Sequence, residues 1–319
     1  MSVEGEPALR VIQAGVATFF GRPMRSLEDL GHPLRGEPVR AALAGIPWDE
    51  GNAGRNGANY GPRTFRDASS WFLGYNCQED FDLWELLPTV DVGDVPIMPP
   101  NAARTMDLIA SHVEAVRGHG VFPLSIGGNH SLAIGAARGA ARTVDRMGYL
   151  SIDAHLDTAR DWDGETLGSG CPTIRAAEIA NVDPHNVVVF GVHGWLNPRD
   201  QVESARDLGI GWYGQNEIGE RGLQTCLEEA IARATDSVDG LYVSFDMDSI
   251  DASAFPGTGT PEPGGFTAKE AQAIARRLGR AQPIAADLVE LAPVYDLSGI
   301  SARLACGLAM ELLSGVAGR

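Results

Sequence analysis

The chain reads as an α/β protein: a three-layer α/β/α arrangement around a mostly parallel central sheet. Short apolar runs alternate with helix-period segments along most of its length. Residues able to do chemistry cluster at the carboxyl ends of those apolar runs, where open α/β sheets bind their ligands. With 319 residues, 44% of them hydrophobic, the chain can fill one large domain with a substantial core. No repeat, low-complexity tract or linker divides it.

The candidate strands, in order, are the apolar runs 41–46, 121–126, 149–152, 187–192, 241–245 and 284–289. Between and after them, helical periodicity marks 104–118, 131–142, 199–208, 222–234, 267–279 and 299–314. Ser131 is suited to cap the second helix. Thr267, with Glu270 three residues later, suits a capping box at the fifth.

The net charge of −17 argues against a nucleic-acid partner, because phosphate recognition needs a basic face. The start, MSVEGEPALRVIQAG, has no apolar core ending at a small-residue cleavage site, so it does not read as a signal peptide. No apolar stretch approaches a membrane span, so no membrane partner is expected. Cys77, Cys171, Cys226 and Cys306 are scattered without a CxxC pair, which suits a reducing cytoplasm. Cys306 sits in a small, apolar helical run and reads as core packing.

The richest stretch is SFDMDSIDASAFPGTGTPEPGG at 244–265, read with SIDAHLD at 151–157 and SIGGNH at 125–130. Alternate residues of an extended segment point the same way. Asp246 and Asp248 can therefore face one site, and Asp153, His155 and Asp157 can do the same; His130 joins through a glycine turn. Carboxylates this dense beside apolar strands would repel one another and lose hydration unless cations compensated them. Two histidines and four aspartates suit two divalent ions: Mn(II) first, with Ni(II) or Co(II) as alternatives.

These motifs resemble the ureohydrolase (arginase/agmatinase) family, on the agmatinase side. GGNHS at 127–131, DAHLD at 153–157 and the 244–265 run match its three signatures. DLVELAPVYD at 287–296 and GRNGANYGPRTFR at 54–66 extend the likeness to roughly 38–314. The resemblance implies an arginase-like fold, with residues 1–37 as an N-terminal arm and 38–319 as one catalytic domain. It implies hydrolysis of a small cationic guanidino substrate, Glu290 as the guanidinium-binding carboxylate, and Asp157 as a metal ligand that also passes a proton to the departing amine. It further implies a homo-oligomer, trimer or hexamer, in which the arm covers the fold or packs on a neighbour.

Two departures stand out. Asn129 replaces an aspartate beside His130, which would weaken that ligand's basicity. Ser169 stands where the family carries a histidine, and serine cannot shuttle protons near neutral pH. Restoring the histidine would then raise turnover of ordinary guanidines. His193, in GVHG at 191–194, is the candidate replacement, or else a loop histidine shaping substrate fit. Cys171 is expected to line the pocket, and Asp251 to orient a ligand. Gly257, Thr258, Gly259 and Pro261 read as a loop shaping the wall or touching substrate. The segment 158–168 brings Trp162 together with Asp161, Asp163 and Glu165, which favours a second positive charge, as in agmatine or a biguanide, over a carboxylate. The departures leave two other readings: a divergent enzyme for a substituted guanidine or biguanide, with nickel, and a non-catalytic subunit of a hetero-oligomer.

Overall fold

In the computed structural model residues 15–319 are described, so the first part of the expected arm lies outside the described residues. The strands are β1 (Ala41–Ile46), β2 (Tyr75–Asn76), β3 (Phe81–Asp82), β4 (Thr89–Asp94), β5 (Phe122–Gly127), β6 (Met147–Ile152), β7 (Val187–Val192), β8 (Gly211–Gly214), β9 (Gly240–Asp246) and β10 (Ala285–Val289). The helices are α1 (Gly61–Ser69), α2 (Leu83–Leu86), α3 (Ala102–Gly118), α4 (Leu132–Ala141) and α5 (Pro172–Ala177). They continue with α6 (Arg199–Leu208), α7 (Gln215–Arg221), α8 (Leu223–Ala234), α9 (Ala268–Arg280) and α10 (Ile300–Val316).

Eight strands form one sheet in the order β4-β1-β5-β10-β9-β6-β7-β8. Every neighbouring pair is parallel. Alternation along the strands divides their side chains between two cores. Leu150, Ile152, Val243 and Phe245 join the layer of α8, α9 and α10. Tyr149, Tyr242 and Val289 join the layer of α3, α4 and α5. Sheet and helices therefore make the three layers the sequence predicts.

Six expected strands and six expected helices recur within a few residues of their predicted bounds. Two edge strands escaped prediction. β4 carries the buried Asp91 in mid-strand, neutralised by Arg66 at 2.9 Å, so its sequence lacks a clean apolar run. β8 is four residues long with glycine at both ends. Thr267 and Glu270 form the capping box on α9. Ser131, by contrast, makes no cap on α4, because its hydroxyl is engaged by Asn129 and Trp48.

Residues 15–37 run back over the fold. Phe19 and Phe20 are fully buried against Phe65, and their N–H groups donate to Asp91 and Ser69 at 2.8 Å. Cys306 lies in the core, as expected.

Candidate active site

The four central strands β5, β10, β9 and β6 are neighbours, and each delivers site residues just beyond or at its carboxyl end. They supply His130, Glu290, Asp246 with Asp248, and Asp153 through Asp157 respectively. Segments far apart in sequence thus meet because parallel strands end on one edge. The turn after β5 needs glycine: a Cβ on Gly128 would lie 1.7 Å from the Trp48 carbonyl oxygen.

Two donor groups overlap there: His130 with Asp153 and Asp246, and Asp153 with His155 and Asp248. His130 Nδ1 lies 3.1 Å from Asp153, 2.8 Å from Asp157 and 3.3 Å from Asp246. His155 Nδ1 lies 3.0 Å from Asp248. Ligands at ~2.1 Å around an octahedral ion sit about 3 Å apart, so these spacings match edges of a coordination shell.

The hydrogen bonds around His130 say what must fill the gap. Ser244 Oγ donates its one proton to Asp287 at 2.6 Å, so it accepts from His130 Nε2 at 3.0 Å. His130 Nδ1 is then a lone pair aimed at three carboxylates, buried and without a hydrogen-bond partner. A proton or a metal cation has to lie between them. Burial, with Asp157 and Asp248 nearby, pushes the Asp153 carboxyl up to about 7. Burial next to Asp248 and Asp153 holds Asp246 well above the carboxylate range. Burial alone would lower His155, but Asp248 outweighs it and lifts the ring to about 10. Without metal the cluster traps protons; the donor set fits divalent cations.

Glu290 is held in the left-handed region at φ 65, as is Asp157 at φ 50, a cost of order 1–3 kcal/mol that concentrates at functional sites. Glu290 Oε1 accepts from the His130 N–H at 2.7 Å, while Oε2 is buried with no partner. Burial pushes this carboxyl up to about 8. A donor-rich cation would satisfy the free oxygen and restore the charge.

A cavity of about 370 Å³ opens above these groups, with Asn52, Ala53, Trp162, Ser169, Leu196, Pro198 and Gln201 in its walls. Trp162 stands on a tight hairpin. It exchanges two backbone hydrogen bonds with Glu165 across Asp163 and Gly164, both at positive φ. Its ring packs against Gly170, where a Cβ would come within 2.6 Å. Ser169 lines the cavity, but its Oγ accepts from the Ala53 N–H at 2.8 Å and its N–H donates to Gly51 at 2.9 Å. It therefore ties two wall loops together.

Several sequence expectations meet a different geometry. Asp161, Asp163 and Glu165 are exposed and outside the cavity wall, so they supply no second acidic pocket. Asp251 spends its carboxylate on the N–H groups of Ser253 and Gly264 rather than on a metal-site residue. Thr260 instead donates to Asp248, at 2.9 Å. Asn129 donates to the Glu50 carbonyl at 2.9 Å, a bond an aspartate could not make, and leaves the His130 ring to Ser244. Cys171 is fully buried behind the wall, its thiol pushed up to about 11 by burial. His193 Nδ1 donates to Gly191 O at 2.7 Å, and its Nε2 is buried without a partner; neither His193 nor Cys171 lines the cavity. Thr258 offers its carbonyl to Arg55 at 3.1 Å, and Arg55 also covers the Tyr295 ring.

Ser244, Asp287 and Gln201 went unread in the sequence. The SFDMD run contains Ser244 and the DLVE run Asp287, but only strand pairing, with Asp287 opposite Ser244, joins them.

A profile of the Arginase family matches residues 39–315. The chain is 34% identical to a guanidinopropionase of Pseudomonas aeruginosa over 276 residues, covering 86% of each chain. It is 32% identical to an agmatinase of Bacillus subtilis, covering 88% of this chain and 92% of that one. The fold superposes on proclavaminate amidino hydrolase of Streptomyces clavuligerus with a TM-score of 0.87 and 29% identity, over 97% and 99% of the two chains. A match along nearly the whole length makes this chain a member of the arginase family, an agmatinase-like hydrolase of C–N bonds in linear amidines.

Proposed function

We propose that the protein hydrolyses the C–N bond of a linear guanidine with the help of two divalent ions, Mn(II) first among them, releasing urea and an amine. The observation that carries this reading is Asp153, which belongs to both donor groups. His130, Asp157 and Asp246 would complete one set with it, and His155 and Asp248 the other. When bound, the ions supply Lewis acidity that makes water nucleophilic near neutral pH. Glu290 Oε2 would hold the planar guanidinium by charge-assisted hydrogen bonds. Asp157 lines the cavity beside His130 and would carry the proton to the departing amine nitrogen. Water's oxygen joins the carbon, the C–N bond breaks, and the amine leaves protonated.

Ser169 and Trp162 enter this reading as wall residues, and Cys171 belongs to the core cluster against which Trp162 packs. His193 would shape the loop after β7. Nickel or cobalt could serve the same donors. A homo-oligomer larger than a dimer belongs to the reading, with a hetero-oligomer as the rival. Free cysteines, three of them buried, suit a cytoplasmic setting. No helix among the described residues is long and apolar enough to cross a membrane.

The test is metal analysis coupled to urea release from a panel of guanidines, with mass by light scattering. About two ions per chain with turnover supports the reading. One ion per chain in fully active protein would overturn its binuclear part, and no hydrolysis with Mn, Ni or Co would favour the non-catalytic subunit.

A further inference from the structure

Beyond its acidic floor the cavity carries no charge. Trp162, Leu196, Pro198 and Ala53 give it apolar walls, and no lysine or arginine lines it among the described residues. The Arg55 guanidinium is spent on the carbonyls of Thr258 and Gly259. Into this wall the first turn of α6 sets Gln201, 7% exposed. Its backbone carbonyl takes the Thr158 hydroxyl at 2.7 Å, whereas its carboxamide has no hydrogen-bond partner among the described residues. The carboxamide keeps accessible surface on the cavity, so its donors and its acceptor are open to a ligand there.

We infer that the pocket selects guanidines whose N-substituent is neutral and compact, and that Gln201 is the residue that recognises it. This rests on the guanidine-hydrolysis reading. An ammonium or carboxylate at the substrate's far end would meet Trp162 and Gln201 with no opposite side-chain charge in the wall to pair with it. A neutral group, an amide or a short alkyl chain, meets both a donor and an acceptor on Gln201 and apolar surface around it. The alignment with the reacting end is set by Asn197. Its carboxamide accepts from Leu156 N at 3.0 Å and donates to Ala154 O at 3.1 Å and His193 O at 2.9 Å. The loop that leads into α6 is thereby fixed to the segment bearing His155 and Asp157.

The test uses metal-loaded full-length protein and matched substrates. Pentylguanidine is compared with agmatine, and 4-guanidinobutanamide with 4-guanidinobutyrate, by kcat and KM and by calorimetric binding. The neutral member of each pair should win by ~10-fold or more in kcat/KM, chiefly through KM. Gln201→Glu, which is isosteric, should shift preference toward agmatine, and Gln201→Arg toward 4-guanidinobutyrate, with metal content unchanged. Wild-type preference for either charged member, or no shift on charge reversal, overturns the inference and leaves guanidine hydrolysis standing. Failure to bind or hydrolyse any of the four overturns both.

Discussion

Glu290 braces His130 across the strand ends: its Oε1 accepts the His130 backbone N–H at 2.7 Å, and its own N–H donates to Gly128 O at 2.9 Å. The carboxylate proposed to bind substrate is therefore also fixed against the chain that carries a metal donor. Glu290→Gln keeps an oxygen for the His130 N–H but loses the charge that meets a guanidinium. Metal content should stay the same while kcat/KM falls by ~10²–10³. Unchanged kinetics would remove Glu290 from recognition.

Metal uptake should be coupled to proton release. In the metal-free cluster Asp153 is pushed up to about 7 and His155 up to about 10, so both donors hold protons below those values. As pH falls through this range protons compete better, and metal affinity should drop; as pH rises it should strengthen. Calorimetry in buffers of different ionisation enthalpy reads the protons directly. A binding enthalpy independent of buffer at about pH 6 would contradict the coupling.

Asp248→Ala should cost one ion and abolish activity with the fold largely kept. The side chain is buried, and it answers to His155 and Thr260 rather than to the apolar core. Elemental analysis with circular dichroism separates ion loss from unfolding.

Ser244 holds the His130 ring in the tautomer that presents Nδ1 to the carboxylates. Ser244→Ala should weaken metal binding by ~10–100-fold without touching a metal donor. Equal affinity in a competition with a chelator would show that the ring needs no such partner.

Ser169→His should not rescue a missing proton shuttle. The hydroxyl receives the Ala53 N–H, so the replacement breaks the tie between two wall loops. A lower melting temperature and no gain on agmatine are expected. A rise of ~10-fold or more in agmatine turnover would restore the shuttle account.

Much of the active site was legible because it is local. Asp153, His155 and Asp157, like Asp246 and Asp248, alternate within a few residues of a strand end, and that spacing alone brings donors together. Apolar runs likewise marked the central strands, whose burial on both faces favours near-continuous hydrophobic sequence. The tertiary structure decided whatever depends on distance in the chain. Ser169 meets Ala53 across 116 residues, and His130 meets Ser244 across 114, so neither contact leaves a trace in local pattern. Asp161, Asp163 and Glu165 read as a pocket in sequence, yet their hairpin turns only Trp162 inward. Gln201 looked like any polar residue on a helix until burial left its amide facing the cavity, because exposure is fixed by what packs around a side chain, not by its neighbours in the chain.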